Sequence, residues 1–302
     1  MASLITLAVS LLLGVGLQRI KNIPQNAPAT LGSLILYVPL PAVCLLSLPD
    51  LEWNLSLISL ALVTWIIFGI AFFLFPHLGK KYGWGKDVVG CLILTAGFCN
   101  SAFVGFPVIE SLYGMEALKH ALFLDQSGSF LIVSSFGIWV AITYSTGKMR
   151  KRVLFKKILL FPPFIAFLAG LLMGVAGIRP EGVVREVLER LAALLTPLAL
   201  ICVGLQLKWN EIHEERRFLT LGLSYKLLIA PFFIFLTYYF GGVDKNILRV
   251  AVMEAGMAPM ITSSILAASH NLRPGLAGMM VGVGVPLSGL TLALWYYLLK
   301  LV

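Results

Sequence analysis

The sequence carries little charge for its length. Only 12% of its 302 residues are Asp, Glu, Lys or Arg, whereas an ordinary soluble domain carries about 25%. Hydrophobic residues make up 59% of the chain, and the mean hydropathy is +0.93. The core of a soluble protein cannot absorb this much apolar surface. The composition therefore excludes a soluble domain and predicts a polytopic membrane protein.

Cysteine and histidine are also scarce, which excludes several kinds of site. There is no CxxC or Cys/His spacing, so neither a disulfide framework nor a metal site is expected. The four cysteines all lie in apolar runs: Cys44, Cys91, Cys99 and Cys202. No phosphate-binding GxxxxGK loop is present, so an ATP-driven pump would need a separate subunit. Without a nucleophile–base pair, we expect no enzymatic activity and no cofactor.

Ten apolar runs are long enough to cross a bilayer, which takes roughly 17–25 residues. They cover about 2–18, 29–48, 56–76, 87–109, 117–143, 158–177, 187–207, 217–240, 246–268 and 275–299. The first run lacks a basic leader and a cleavage site, so we interpret it as a span and not as a signal peptide. The sequence predicts an all-α integral membrane protein with ten transmembrane helices.

The net charge of +9 comes from basic residues in the loops, and it indicates membrane orientation better than nucleic-acid binding. With the N-terminus outside, the inner loops hold fifteen Lys and Arg residues and the outer side holds seven. We therefore predict a multi-pass protein of the cell membrane with both termini outside. The basic loop 148–157 is then cytoplasmic. We interpret it as a topology signal that contacts lipid headgroups, with a partner-protein site as the alternative.

The two halves of the chain resemble each other weakly. Ala96-Gly97 recurs as Ala255-Gly256, and two other short matches precede it in the same order at nearly the same offset. A duplicated unit of five spans must insert its second copy from the opposite side, because five is an odd number. Such inverted repeats are typical of secondary transporters. The predicted parts are a first repeat over 1–147, the linker 148–157 and a second repeat over 158–302.

The fourth span contains residues that are unusual inside a bilayer: Gly97, Asn100, Ser101, Gly105 and Pro107. The repeat places Asn100 opposite Pro259, which interrupts the ninth span. Paired interrupted spans at equivalent depth point to a substrate site in the middle of the membrane. Freed amides and helix N-termini there attract an anion. The alternative is that these residues serve only helix packing.

The segment NSAFVGFPVIESLYG (100–114) resembles a signature of the auxin efflux carrier family, NT-x-x-x-G-x-P-x-x-x-x-x-YG. This family includes the plant PIN-FORMED carriers and many bacterial relatives. Ser101 takes the place of the threonine in the signature. The segments HNLRPG (270–275) and PLSGLTLALWYYLL (286–299) are similar to the family's ninth-to-tenth loop and last helix. The resemblance therefore covers the whole chain.

This resemblance implies a fold similar to bile-acid symporters and sodium/proton antiporters. Spans 4 and 9 would be broken helices that cross at the centre, although Cys99 stands where plant carriers have a proline. The resemblance also implies that Asn100, Gln126 and Ser47 bind the substrate. We expect Ser101 and the backbone beside Pro259 to assist them. The implied substrate is a small organic anion, either auxin-like or a mono- or dicarboxylate such as malate or malonate.

Three ionisable residues lie inside predicted spans, where buried charge is costly and therefore points to function. Asp125 precedes Gln126, Glu254 lies five residues before Pro259, and Lys226 lies within the eighth span. We expect them to be candidates for proton or ion coupling. The alternative is static pairing with neighbours or, for Lys226, extension of the side chain towards the headgroups.

These observations favour a secondary transporter that moves a small organic anion by elevator-type alternating access. Its expected surroundings are the lipid bilayer, its coupling ion is either a proton or sodium, and no nucleic acid is involved. The alternatives are a cation/proton antiporter or a sodium-coupled organic-anion symporter of the same fold. A membrane receptor or scaffold is the alternative from another class. The sequence leaves open whether the protein is a homodimer.

Overall fold

The computed structural model describes residues 2–20, 22–24, 26–51, 56–145, 162–206 and 215–302. Within these ranges the regular structure is helical, apart from one isolated β-bridge. The prediction of an all-α protein is thus confirmed for the described chain. The basic loop 148–157 lies outside the described residues, so its role stays a prediction.

Apolar runs, punctuated by proline and glycine, form the helices up to residue 145. They are α1 (Ala2–Leu17), α2 (Ala27–Tyr37), α3 (Pro39–Ser47), α4 (Ser56–Tyr82), α5 (Lys86–Ala96), α6 (Phe106–Leu124) and α7 (Ile138–Tyr144). A 3₁₀ turn follows α3, and π-helical segments flank α6 at Ser101–Gly105 and Asp125–Phe130, with another at Val133–Gly137. Proline begins α3, where its missing N–H costs no helical hydrogen bond.

The later part of the chain continues the same pattern. Its helices are α8 (Pro162–Val175), α9 (Gly182–Ala192), α10 (Leu195–Gln206), α11 (Arg216–Ser224), α12 (Ala230–Phe240), α13 (Lys245–Ala255), α14 (Ile261–Ser269) and α15 (Pro274–Lys300). A π-helical segment, Tyr225–Ile229, joins α11 to α12. Asp244 caps α13 by accepting hydrogen bonds from two backbone N–H groups of its first turn.

Five helical stretches of the described chain are long and apolar enough to cross a membrane: Thr30–Asp50, Leu57–Tyr82, Ser101–Tyr144, Arg216–Phe240 and Pro274–Lys300. The shorter apolar helix α8 spans Pro162–Val175. These stretches are consistent with a multi-pass membrane protein. The count of ten spans and the inverted repeat stay predictions.

The stretch Ser101–Tyr144 is divided by Gly114. Forty-four residues of straight helix would extend about 66 Å, roughly twice the hydrocarbon thickness of a bilayer. Gly114 has φ +81° and ψ −174°, a conformation that is essentially restricted to glycine. It therefore ends one helical segment and begins the next, between the predicted fourth and fifth spans.

The described residues form two compact units. The first comprises residues within Met1–Asn54, Ala102–Leu122 and Phe155–Leu207, and the second comprises residues within Leu55–Ser101, Phe123–Leu154 and Lys208–Val302. Each unit thus combines segments from both halves of the sequence. This division in space is different in kind from the predicted division into two repeats, which stays a prediction.

Close backbone approach holds the first unit together. A Cβ atom added to Gly14 of α1 would collide with the backbone of α10 at Ile201 and Gly204. The Gln18 side chain donates to the Gly204 carbonyl at 2.6 Å. Small residues permit such contacts between membrane helices, where dispersion forces and hydrogen bonds replace the hydrophobic effect.

In the second unit, side-chain donors bind backbone carbonyls of neighbouring helices. The Tyr225 hydroxyl donates to the Ile67 carbonyl at 2.6 Å, and the Trp295 indole donates to the Leu227 carbonyl at 3.0 Å. Tyr238 donates to the Ser59 carbonyl. These bonds tie α4 and α15 to the segment that contains α11 and α12.

We predict that Gly114→Ala lowers the free energy of unfolding by about 1–3 kcal/mol, because alanine disfavours this positive-φ conformation. No atom lies within 4 Å of an added Cβ, so the cost is backbone strain alone. Gly278→Ala in α15 is the matched control, since it also meets open space but has no positive φ. Thermal unfolding in detergent measures both. Equal stability of the two variants would contradict the prediction.

Candidate functional site

Two helices of the second unit, α5 and α13, end in the same way. Each has 11 residues, and they are offset by 159 residues at both ends. The glycine after each helix, Gly97 or Gly256, donates the last helical hydrogen bond at 3.0 Å. Both segments then leave helical geometry in the middle of an apolar sequence.

The extended segments after these helices meet each other. Cys99 and Pro259 form an antiparallel bridge, and the Asn100 N–H donates to the Ala258 carbonyl at 3.0 Å. Non-helical backbone at membrane depth is tolerated only where it is buried in protein or lines a cavity. Helix resumes at Ser101 and at Ile261. We call this contact the crossing.

Six polar side chains of the second unit lie at or near the crossing. Their exposed fractions are between 0 and 3%. They are Asn100, Ser101, Asp125, Gln126, Lys226 and Glu254. We call this set the polar cluster. All six were predicted site residues, and the structure brings them together although they belong to four separate stretches of the chain.

Lys226 holds the C-terminal end of α13. Its ammonium group donates to the Ala255 carbonyl at 2.5 Å and to the Cys99 sulfur at 3.4 Å. The carbonyl groups at a helix C-terminus carry partial negative charge, which a cation stabilises. The side chain of Lys226 therefore turns inward to the crossing and does not extend to the headgroup region.

Two carboxyl groups lie near Ser101. The Ser101 hydroxyl is near the carboxyl groups of both Asp125 and Glu254 without completing a hydrogen bond of normal geometry. The Gln126 amide donates to the Asp125 carboxyl at 2.8 Å. Glu254 is close enough to Asp125 and Lys226 for their charges to interact, although it forms no direct ion pair with Lys226. The cluster thus contains two acidic groups and one basic group.

Several polar atoms of the cluster have no hydrogen-bond partner among the described residues. They include both side-chain atoms of Asn100, both oxygens of Glu254, one oxygen of Asp125, the Gln126 carbonyl and the Ser101 hydroxyl. An unsatisfied buried polar group costs about 1–3 kcal/mol, so native proteins rarely keep many of them in one place. This concentration of unpartnered polar atoms makes the polar cluster the candidate functional site.

The other predicted residues have different positions. Ser47 belongs to the first unit, where it is buried and its hydroxyl lies 3.7 Å from the Met115 sulfur. Gly97 follows α5, and Gly105 is the last residue of the π-helical segment before α6. Pro107 lies in the first turn of α6, where a proline is well tolerated.

Gly284 of α15 is a contact residue that the sequence did not indicate. A Cβ atom added there would lie 2.7 Å from the Cδ atom of Pro259 and 3.0 Å from Leu223. Glycine therefore lets α15 approach the crossing closely. The segment VGVGVP (281–286) contains two glycines, but nothing in the sequence reveals which of them faces Pro259.

The first unit contains a separate cavity of about 690 Å³ that sequence reasoning also missed. Its lining includes Ser47, Glu110, Lys119 and Thr196. The Thr196 hydroxyl donates to the Glu110 carboxyl at 3.0 Å, and Lys119 pairs with Glu116 at 2.6 Å. These residues come from three segments that are distant in the sequence, and no local motif indicates that they share a cavity.

Comparison with known proteins identifies relatives over almost the whole chain. Residues 1–296 match the model of a family described as "Membrane transport protein". An uncharacterized transporter of Methanothermobacter thermautotrophicus is 27% identical over 298 residues, which is 97% of this chain and 96% of the relative. An uncharacterized transporter of Methanocaldococcus jannaschii is 25% identical and covers 89% of each chain.

We predict that Gly284→Ala disturbs the crossing, because its methyl group would overlap the rigid ring of Pro259. Overpacking of this kind typically costs about 1–3 kcal/mol. Gly289→Ala on the same helix is the control, since an added Cβ there has no atom within 4 Å. Thermal unfolding in detergent compares the two proteins. A Gly284→Ala protein as stable as the control would show that the contact with Pro259 is not tight.

Proposed function

The chain belongs to the membrane transport protein family, the auxin efflux carrier family, and from that premise we propose that it is a secondary carrier for a small organic anion. The substrate class is an auxin-like acid or a mono- or dicarboxylate such as malate or malonate. The substrate would bind at the crossing, among Asn100, Ser101, Gln126 and the backbone beside Pro259. We propose the cell membrane as its location.

The buried amide of Asn100 is the observation that carries this proposal. It is 1% exposed, it stands at the crossing, and neither of its side-chain polar atoms has a partner among the described residues. An amide offers two donors and an acceptor, so it can bind a carboxylate without introducing a charge of its own. A neutral donor also suits a carrier, which must release its substrate.

Two further features favour an anion. Helix α14 begins at Ile261, directly after the crossing, and a helix N-terminus carries partial positive charge and free N–H groups. The Lys226 ammonium group adds a full positive charge nearby. We propose that the N-terminus of α14 and Lys226 supply the attraction, while Asn100 and Gln126 supply orientation.

The charges of the polar cluster suggest how binding could be coupled to protons. With Asp125 and Glu254 both ionised, the cluster has a net charge of −1 and repels an anion. With both protonated, its net charge is +1. Protons and the anion would therefore favour each other's binding, and by thermodynamic linkage this effect is reciprocal. We propose that Asp125 and Glu254 are the coupling groups, with Lys226 as the fixed cation.

A cation/proton antiporter is the second candidate function. The proximity of the Asp125 and Glu254 carboxyl groups favours it, because paired carboxylates beside a crossing can exchange a proton for a metal cation. A sodium-coupled anion symporter would use the same carboxyl groups. Proteoliposome uptake distinguishes these functions. Labelled organic anion accumulates in a carrier or symporter, and sodium stimulates only the symporter, whereas an antiporter moves sodium against protons without the anion.

We propose elevator-type alternating access as the mechanism. Residues of the polar cluster all belong to the second unit, so that unit could carry a bound substrate as one body. Ser47, the remaining predicted substrate-binding residue, belongs to the first unit. Its role in substrate binding stays a proposal.

We predict that Asn100→Ala weakens apparent substrate affinity by about 5- to 150-fold. Losing one buried hydrogen bond costs about 1–3 kcal/mol, and 1.4 kcal/mol corresponds to a factor of ten. Uptake into proteoliposomes at a series of malate and malonate concentrations measures the change. The exposed Asn246 at the start of α13 provides the control variant, Asn246→Ala. Normal affinity in Asn100→Ala would assign this residue to helix packing.

We predict that Glu254→Gln and Asp125→Asn weaken the dependence of anion uptake on pH. In the natural protein, affinity should rise as pH falls, because protonation removes negative charge from the cluster. Each substitution fixes one group in its neutral form, so a proton gradient should drive less accumulation, while exchange of labelled for unlabelled anion continues. Glu186→Gln, on the exposed surface of α9, is the control. Unchanged pH dependence in both variants would favour a uniporter.

We predict that both termini face the outside, from the excess of basic residues in alternate loops. A cysteine introduced at Ala2 and another at Val302, each in a cysteine-free background, should react with a membrane-impermeant maleimide in intact cells. Reaction of only one terminus would exclude an even number of spans.

A further inference from the structure

A groove of about 290 Å³ lies in the second unit. Its lining contains no residue of the polar cluster. One wall is formed by α11 and the π-helical segment after it, including Leu219, Leu223 and Leu227. The other wall is a single face of α15, with Val283, Leu287 and Thr291 at successive helical turns. The groove is thus a largely apolar channel between two helices.

The outer rim of this groove is accessible. Leu228 and Leu287 are 43% and 38% exposed, although both belong to membrane-spanning helices. Apolar side chains exposed at this depth contact lipid chains. The lining row from Arg216 to Leu228 covers twelve residue steps, or about 18 Å of helix. That length is close to the distance from the headgroups to the centre of a bilayer.

One end of the groove is positively charged. Arg216 is exposed and belongs to the lining. The neighbouring carboxylate, Glu215, binds Arg273 at 2.9 Å and is therefore engaged elsewhere. Among the described residues, no carboxylate forms an ion pair with Arg216, Arg217 or Lys81. The positive charge at this end is therefore available to an anionic partner.

Aromatic rings at the same end of the groove indicate that this end lies at the membrane interface. The Arg217 guanidinium lies over the rings of Tyr82 and Trp84, with distances of 5.6 and 6.0 Å to the ring centres. The Lys81 ammonium group lies 5.4 Å from the centre of the Tyr82 ring. Tyr and Trp concentrate at the headgroup level of membranes, together with basic residues. The groove therefore runs from a basic headgroup region into the hydrocarbon.

We propose that this groove binds an anionic phospholipid. One acyl chain lies between the leucines of the α11 segment and the face of α15, and the lipid phosphate is held by Arg216. Arg217 and Lys81 extend the positive field at the headgroup. Charge complementarity favours an anionic lipid over a zwitterionic one, and the length and apolar lining of the groove favour a lipid over a soluble phosphate. The site is independent of the proposed substrate site.

The test uses the full-length protein in detergent, titrated with dioleoyl phosphatidylglycerol or dioleoyl phosphatidylcholine and observed by native mass spectrometry. Phosphatidylglycerol should bind more tightly. Arg216→Gln should weaken its binding about fivefold, the equivalent of one basic residue near an anionic headgroup. Leu287→Trp fills the groove and should weaken binding of phosphatidylglycerol roughly tenfold. Leu228→Trp probes the other wall, if Leu287→Trp unfolds.

Matched controls separate the groove from the general surface. Lys300→Gln removes an exposed basic residue at the far end of α15, and Leu290→Trp enlarges a 72% exposed residue of α15 outside the lining. Both should bind phosphatidylglycerol as the natural protein does. Wild-type binding in Arg216→Gln and in the folded tryptophan variants would overturn the proposal. Complete displacement of the lipid by glycerol phosphate would also overturn it. A groove variant that changes the oligomeric mass but not the binding of phosphatidylglycerol would do the same.

Discussion

Inside a bilayer, a backbone N–H or carbonyl group without a partner costs several kcal/mol, and no bulk water is available to replace a missing bond. Two helices of this protein, α5 and α13, end among buried apolar residues, and the backbone beyond their ends must find partners there. The hydrogen bond from the Asn100 N–H to the Ala258 carbonyl, next to the bridge between Cys99 and Pro259, provides some of these partners. The buried polar chemistry of the second unit depends on this contact.

The crossing also determines which charges the second unit can tolerate. The carbonyl groups at the C-terminal ends of α5 and α13 carry partial negative charge, which a cation offsets. Lys226 provides that cation through its contacts with Ala255 and Cys99. Its positive charge in turn makes the neighbouring Glu254 less costly to bury. Lys226 therefore has a structural role as well as its proposed role in coupling.

Packing around the crossing leaves little freedom for its backbone. Gly284 allows α15 to approach Pro259, while Trp295 on the same helix donates to the Leu227 carbonyl, one residue from Lys226. Tyr225, on the other side of Lys226, is bonded to α4. The residues adjacent to Lys226 are thus fixed from two directions. The proposed lipid groove is lined in part by Leu227 and Leu228 of the same π-helical segment.

The sequence by itself determined the class and the family. A charged fraction of 12% excludes a soluble core, and the motif from Asn100 to Gly114 led to the family that the match over residues 1–296 confirms. Polar residues in apolar spans also identified five members of the polar cluster individually, because burying such groups is costly wherever they pack, and the family resemblance supplied Gln126. These properties depend on composition and local order, which a sequence contains directly.

Only the tertiary structure decided which of these residues meet. Lys226 contacts a carbonyl 29 residues away and a sulfur 127 residues away, Gly284 faces Pro259, and Ser47 falls in a different unit from Asn100. The two units each draw on both halves of the chain, which no local pattern reveals. Helical periodicity predicts which face of a segment is buried, but partner choice depends on the joint packing of segments far apart in sequence. That packing minimises voids and unpaired polar groups over the whole unit at once, so it is decided only when the chain is folded.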